Sequence, residues 1–167
     1  EHYADGCTRG KMRLFSYRTG SAQPRITINA WVGKDGLLQV DQIKGKQNRP
    51  PIARYAADVV TLLNHLPLNT HVPDDALAMG VVRRPAEMLA EQLALTPWCA
   101  VSELHSEAEQ LWLIQQHPEL MEQLTIASPL VQWMVAARKE SVDAAMLERM
   151  PKSPALQHTL QLARKRP

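Results

Sequence analysis

The sequence predicts an α+β fold: a small, basic, antiparallel three-stranded β-meander packed on a helix, followed by an all-α, repeat-like region. Three observations carry this expectation. Residues 25–32 alternate apolar and polar side chains with the period of a strand, and a Gly-Lys-Asp-Gly turn follows them. Residues 52–66 place apolar side chains at helical spacing. Beyond about residue 85 the pattern is helical throughout, punctuated by prolines and by a recurring Ser-x-x-x-Gln. The expected division is 1–66 for the meander and its helix, 67–84 for a linker, and 85–167 for the helical region.

The first strand is expected over residues 12–18, a short aromatic and apolar run that stops at Thr19-Gly20-Ser21. The second puts Ile26, Ile28, Ala30 and Val32 on one face and Arg25, Thr27, Asn29 and Trp31 on the other. Asp35-Gly36 tolerates the positive φ of a tight hairpin turn, so Leu37 to Ile43 should pair back. Pro50 and Pro51 end that strand, because proline donates nothing to a ladder and suits a helix's first turn. From Ile52 to Leu66, apolar residues at 52, 55, 56, 59, 62, 63 and 66 form one helical stripe to lie on the sheet. Pro67 and Pro73 then bracket a loop, where Asp74 or Asp75 can cap a short helix.

The C-terminal part reads as helices broken by Pro97, Pro118, Pro129, Pro151 and Pro154, without a strand. Ser106 to Gln110, Ser128 to Gln132 and Ser153 to Gln157 share the Ser-x-x-x-Gln spacing, and each precedes a further helical segment. Serine is a good N-cap, and proline a good first residue. Units recurring at this interval suggest a helical solenoid, whose faces are buried by stacking. An ordinary bundle with three similar caps fits the same pattern.

At 167 residues, with 45% hydrophobic and 22% charged residues, the chain is long enough for a real core and close to globular averages. No apolar run approaches the length of a membrane span. Cys7 and Cys99 are far apart in unlike contexts, which argues against a disulfide framework and suits a reducing, cytoplasmic setting. The net charge of +2 is unevenly spread. Residues 9–54 hold ten Lys or Arg against Asp35 and Asp41, whereas residues 55–167 hold nine bases against thirteen acids. A basic first part admits an anionic partner or docking onto the acidic part.

Arg13-Leu-Phe-Ser-Tyr-Arg, Pro24-Arg-Ile-Thr-Ile and above all Gln42-Ile-Lys-Gly-Lys-Gln-Asn-Arg-Pro-Pro51 resemble the core signature of PcfJ-like proteins. This bacterial family is associated with conjugative elements and prophages. The resemblance covers roughly residues 1–66 and implies a mobile-element context rather than a reaction. It also implies a short His-Cys-Val segment just upstream of Glu1, so that the chain, which opens on Glu1, would be a fragment. Arg25 and Asn29 depart from the pattern, standing where relatives commonly carry a histidine and an acid. The C-terminal units resemble leucine-rich-variant or HEAT-like helical repeats.

Nucleic-acid binding is the leading expectation. Arg13, Arg18, Arg25, Lys44, Lys46 and Arg49 lie near the expected sheet, with Phe15, Tyr17 and Trp31 available to stack on bases. Phosphate attraction plus aromatic platforms is the minimal recipe for a single strand of DNA or RNA. The expected contact set is Arg13, Tyr17, Arg18, Lys44, Lys46, Asn48 and Arg49, centred on the basic loop from Lys44 to Arg49. The bland reading puts the aromatics in the core and the bases in solvent.

Two alternatives compete. One is a cysteine-dependent enzyme fragment using Cys7, with His2 as base and Asn48 or Gln42 as orienter, although no local signature surrounds Cys7. The other is a protein-interaction scaffold on the helical region, marked by Trp98, Trp112 and Trp133, which simple core packing explains equally. His65, His71, Asp74 and Asp75 are the one local cluster of metal-ligand types, and their loop setting defines no coordination geometry. No metal or cofactor is expected. Walker, Gly-x-Gly-x-x-Gly and Gly-x-Ser-x-Gly patterns are all missing from the sequence.

Overall fold

The computed structural model describes residues 2–20, 23–49 and 53–141. The chain divides into two compact units after Ala100.

In the first unit, α1 (His2–Thr8) precedes β1 (Met12–Tyr17) and covers its start. A Cβ on Gly6 would meet Met12 side-chain atoms at 3.3 Å, so glycine lets the helix approach closely and leaves Met12 buried. β1 pairs antiparallel with β2 (Ile26–Val32), which pairs antiparallel with β3 (Leu38–Gly45). The meander is as expected. The Arg25 amide donates to the Tyr17 carbonyl and closes the first connection. In the second, Gly36 has a φ of 81°, the Gly33 amide donates to the Leu37 carbonyl, and Asp35 Oδ1 accepts from the Leu37 amide. The Asp-Gly pair supplies the hairpin geometry it was read for.

β3 contains a bulge that alternation alone conceals. Ala30 faces Val40 while the preceding Asn29 faces Gln42, so Asp41 is the extra residue. Val40 and Ile43, three apart, therefore both point into the core at 1% and 0% exposure. Regular pleating would put them on opposite faces. Gln42 and Lys44 are thereby turned to the outer face, beside Asn29 and Thr27.

The core face is closed by α2 (Ala56–His65), which follows a tight turn at Ala53–Tyr55. Tyr55, Val59, Val60 and Leu63 are buried against Ile26, Ile28, Val40 and Ile43. Full burial of one such leucine contributes roughly 1.5–3 kcal/mol. Ile52, expected to begin this helix, lies outside the described residues, as do Pro50 and Pro51.

Residues 67–84, expected as a linker, carry α3 (Asp74–Ala78) and β4 (Val81–Arg83). Ala76, Met79 and Val81 belong to the same core as the meander. After α4 (Ala86–Glu91), β5 (Trp98–Ala100) pairs antiparallel with β4. The expectation of no strand beyond residue 85 is thus corrected: three-residue strands are too short to show alternation. The compact unit consequently runs to Ala100 rather than ending after Leu66.

Asn64 on α2 secures the free side of β5. Its Nδ2 donates to the Trp98 carbonyl at 2.9 Å, and its Oδ1 accepts from the Trp98 amide at 2.8 Å. One side-chain amide thereby stands in for a neighbouring strand.

The second unit contains α5 (Glu107–Gln116) and α6 (Pro129–Arg138), with short 3-10 turns at Val101–Glu103 and Pro118–Gln123. Both Ser-x-x-x-Gln copies within the described residues start helices as expected. Ser106 forms a capping box with Glu109, and Ser128 Oγ accepts from the Val131 amide, with Pro129 at the first position. The glutamines then diverge. Gln110 is fully buried: its Nε2 donates to the carbonyls of Leu104 (2.8 Å) and Thr125 (2.7 Å), and its Oε1 accepts from the Ala127 amide (2.9 Å). Gln132 is exposed. The shared spacing thus reports a shared cap, not a shared packing role. The third copy, Ser153 to Gln157, and the segment His158 to Ala163 lie outside the described residues.

Candidate nucleic-acid interface

The outer face of the meander, opposite α2, holds a groove of about 410 Å³. Its floor is laid across three strands by register: Leu14 faces Asn29, which faces Gln42, and Thr27 faces Lys44 one row along. Gln23, Pro24 and Arg25 form one wall, and the Gly45 to Asn48 turn forms the other. That turn is tight. Gln47 and Asn48 have φ of 57° and 60°, and the Arg49 amide donates to the Lys46 carbonyl at 3.3 Å. Two successive left-handed residues cost of order 1–3 kcal/mol each where the side chain is not glycine. The Gly45 amide, donating to the Arg49 carbonyl at 2.7 Å, closes the base of the turn.

The expected contact residues separate into two groups. Lys44, Lys46 and Asn48 line the groove together with Arg25. Tyr17 and Arg13 have the other parity on β1 and share the helix-side face with Phe15. The Tyr17 ring packs edge-on against Tyr55 with centroids 5.7 Å apart, and its hydroxyl donates to Asp58 Oδ2 at 2.8 Å. That hydrogen bond above all, with burial and the Asp58 charge adding to it, raises the Tyr17 pKa above its ordinary value. One Arg13 terminal nitrogen donates to the Met12 carbonyl at 3.0 Å. Arg18 and Arg49 are exposed beyond the strand and turn ends.

Lys44 is held. Its Nζ lies 2.9 Å from Asp75 Oδ1, with the two side chains 30% and 21% exposed, and Asp75 Oδ2 accepts from the Ile43 amide at 2.9 Å. Asp75 thus covers an otherwise open amide on edge strand β3 and neutralises a groove cation. Arg25 and Lys46 are the exposed cations lining the groove.

Sequence reasoning missed Asn29, Gln42 and Thr27 as groove residues. The signal for Thr27 and Asn29 was present, since alternation already put them beside Arg25 and Trp31. Gln42 was hidden by the bulge. Trp31, two residues along β2 from Asn29 on the same face, is 43% exposed, and Leu14 is 46% exposed. These, rather than Phe15 and Tyr17, are the outer face's apolar surfaces.

The other candidate chemistries are placed as follows. Cys7 is half-buried on α1, and Cys99 is buried in β5. Trp98 and Trp133 are buried, at 2% and 3% exposure, and Trp112 packs edge-on against His117. Among the described residues, no three His, Cys, Asp or Glu side chains are placed to hold a metal ion, and no helix is long and apolar enough to cross a membrane. No protein-family model matches the chain, and neither a curated protein nor a solved structure is significantly similar to it.

Proposed function

We propose that this chain is a non-enzymatic nucleic-acid-binding module of a mobile-element protein, and that it takes single-stranded DNA or RNA on the outer face of its meander. The observation that carries the reading is the groove itself. It pairs a largely apolar lining surface, Leu14 included, with the exposed cations Arg25 and Lys46, has the exposed Trp31 on the same sheet face, and is set in the segment that holds ten bases against two acids. Cations fix phosphates, and exposed apolar surface receives unstacked bases. The mobile-element context rests on the PcfJ-like signature, whose Gly45 to Asn48 portion forms one wall of the groove.

Titrating the full chain with single-stranded DNA and RNA across a salt series tests the reading. Two groove cations engaging two phosphates give a log–log salt slope of about −1.4 on a single strand, hence roughly a sevenfold loss of affinity between 50 and 200 mM salt. Reversing Arg25 and Lys46 to glutamate should abolish the dependence. No binding at low salt, or binding indifferent to salt, refutes the proposal.

A further inference from the structure

Asn29 is 4% exposed, yet only half of its amide is used. Its Nδ2 donates to Asp41 Oδ2 at 3.4 Å, which fixes the orientation of the amide, since the reverse would set an oxygen against a carboxylate. Its Oδ1, with less than 1 Å² of exposed surface, has no hydrogen-bond partner. Gln110 is buried as deeply, and all its hydrogen bonds are made. A buried acceptor left without a donor is uncommon in native folds and calls for a reason. Asn29 lies in the floor of the groove.

Building on the reading of this face as a single-strand interface, we infer that the groove seats one unpaired nucleobase, whose N–H edge donates to Asn29 Oδ1. A volume of about 410 Å³ falls at the small end of ligand clefts and suits one nucleotide rather than a duplex. The unpartnered atom is an acceptor, so it calls for an N–H or O–H donor and repels an anion, and Arg25 and Lys46 in the same groove disfavour a cationic donor. Arg25 and Lys46, lining the same groove, attract the phosphate on either side of such a base. Leu14, directly opposite Asn29 on β1 and 46% exposed, supplies the apolar contact. Seating the base requires this exposed side chain to shift so that the base edge reaches Oδ1, which has less than 1 Å² of exposed surface. A neutral N–H donor between two phosphates describes an unpaired base in a strand.

The test compares two oligonucleotides of about 15 residues, within the length a single-strand site covers. One is of thymidine and the other of N3-methylthymidine, whose base edge has lost its only N–H donor while the backbone charge is unchanged. The full chain should bind the methylated oligomer about tenfold more weakly, the equivalent of one hydrogen bond. Asn29→Leu, similar in volume and lacking the acceptor, should bind both alike while unfolding at a temperature no lower than the parent chain. Equal binding of the two oligomers by the parent chain overturns the inference and leaves the nucleic-acid reading standing, and this comparison needs no variant. Discrimination that survives Asn29→Leu also overturns it. Binding of neither oligomer at low salt overturns both.

Discussion

Replacing Gln110 by leucine removes one side chain and unties three backbone groups, and their surroundings set the cost. The Leu104 carbonyl belongs to a residue 1% exposed, so it loses its donor with no water to replace it, at about 1–3 kcal/mol. Thr125 and Ala127 are exposed residues, so their carbonyl and amide can rehydrate and lose only the ordinary net value of about 1 kcal/mol each. The leucine regains part through apolar burial, which leaves a net loss of about 2–4 kcal/mol. Gln110→Glu sharpens the test through pH. A carboxylate there would face two carbonyls, and burial would raise its folded pKa above the unfolded value of about 4.3. A group with a raised folded pKa contributes stability below the unfolded pKa and loses it as pH rises through the folded one. Gln110→Glu should therefore be closest to the parent at about pH 4 and fall furthest behind near pH 7. Urea unfolding followed by far-UV circular dichroism and tryptophan fluorescence reads both quantities. A Gln110→Leu midpoint equal to the parent's, or a Gln110→Glu deficit independent of pH, would refute the three-point tie.

The remaining predictions concern the first unit. Asn64→Ala should cost about 2 kcal/mol by urea unfolding, because the Trp98 amide loses its acceptor while its carbonyl keeps the Thr96 hydroxyl at 3.0 Å; an unchanged midpoint would count against the strand-substitute role. Asp75→Asn should release Lys44, lower stability by up to about 1 kcal/mol and steepen the salt slope for single strands by about 0.7. Weaker binding by that variant, measured by anisotropy, would contradict the reading of Asp75 as a brake on the groove. Tyr17 should titrate above the usual value of about 10 in an ultraviolet absorbance series, and Asp58→Asn should bring it down. Its raised pKa means that the Tyr17–Asp58 contribution is present below the unfolded pKa and is lost as pH rises through the folded one.

What the sequence disclosed and what it withheld follow from range. Alternation from Ile26 to Val32 gave β2 and its two faces, and the Asp-Gly pair gave the hairpin, because both are local rules obeyed within a few residues. The caps at Ser106 and Ser128 were legible for the same reason. The bulge at Asp41 depends on which residue of a partner strand lies opposite, so it was invisible, and with it the outward turn of Gln42 and Lys44. Strands β4 and β5 depend on each other and on Asn64, thirty-four residues from Trp98. Basic residues and aromatics were correctly located along the chain, but the face each occupies was not, which is why Lys46 lines the groove while Tyr17 lies behind the sheet.

The extra residue at position 41 makes β3 a strand with two phases. Upstream of it, even-numbered side chains look inward; downstream, odd-numbered ones do. Were all eight residues of β3 to pleat without the bulge, Asp41 would lie opposite Asn29 and the two faces would exchange over the last third of the strand, thrusting an amide and an ammonium into oil and Ile43 into water. Deleting Asp41 instead removes the extra residue and keeps Val40 and Ile43 inward. The groove floor and the core are thus spelled in one reading frame, and the bulge is what lets a chain with Val40 and Ile43 three apart satisfy both at once.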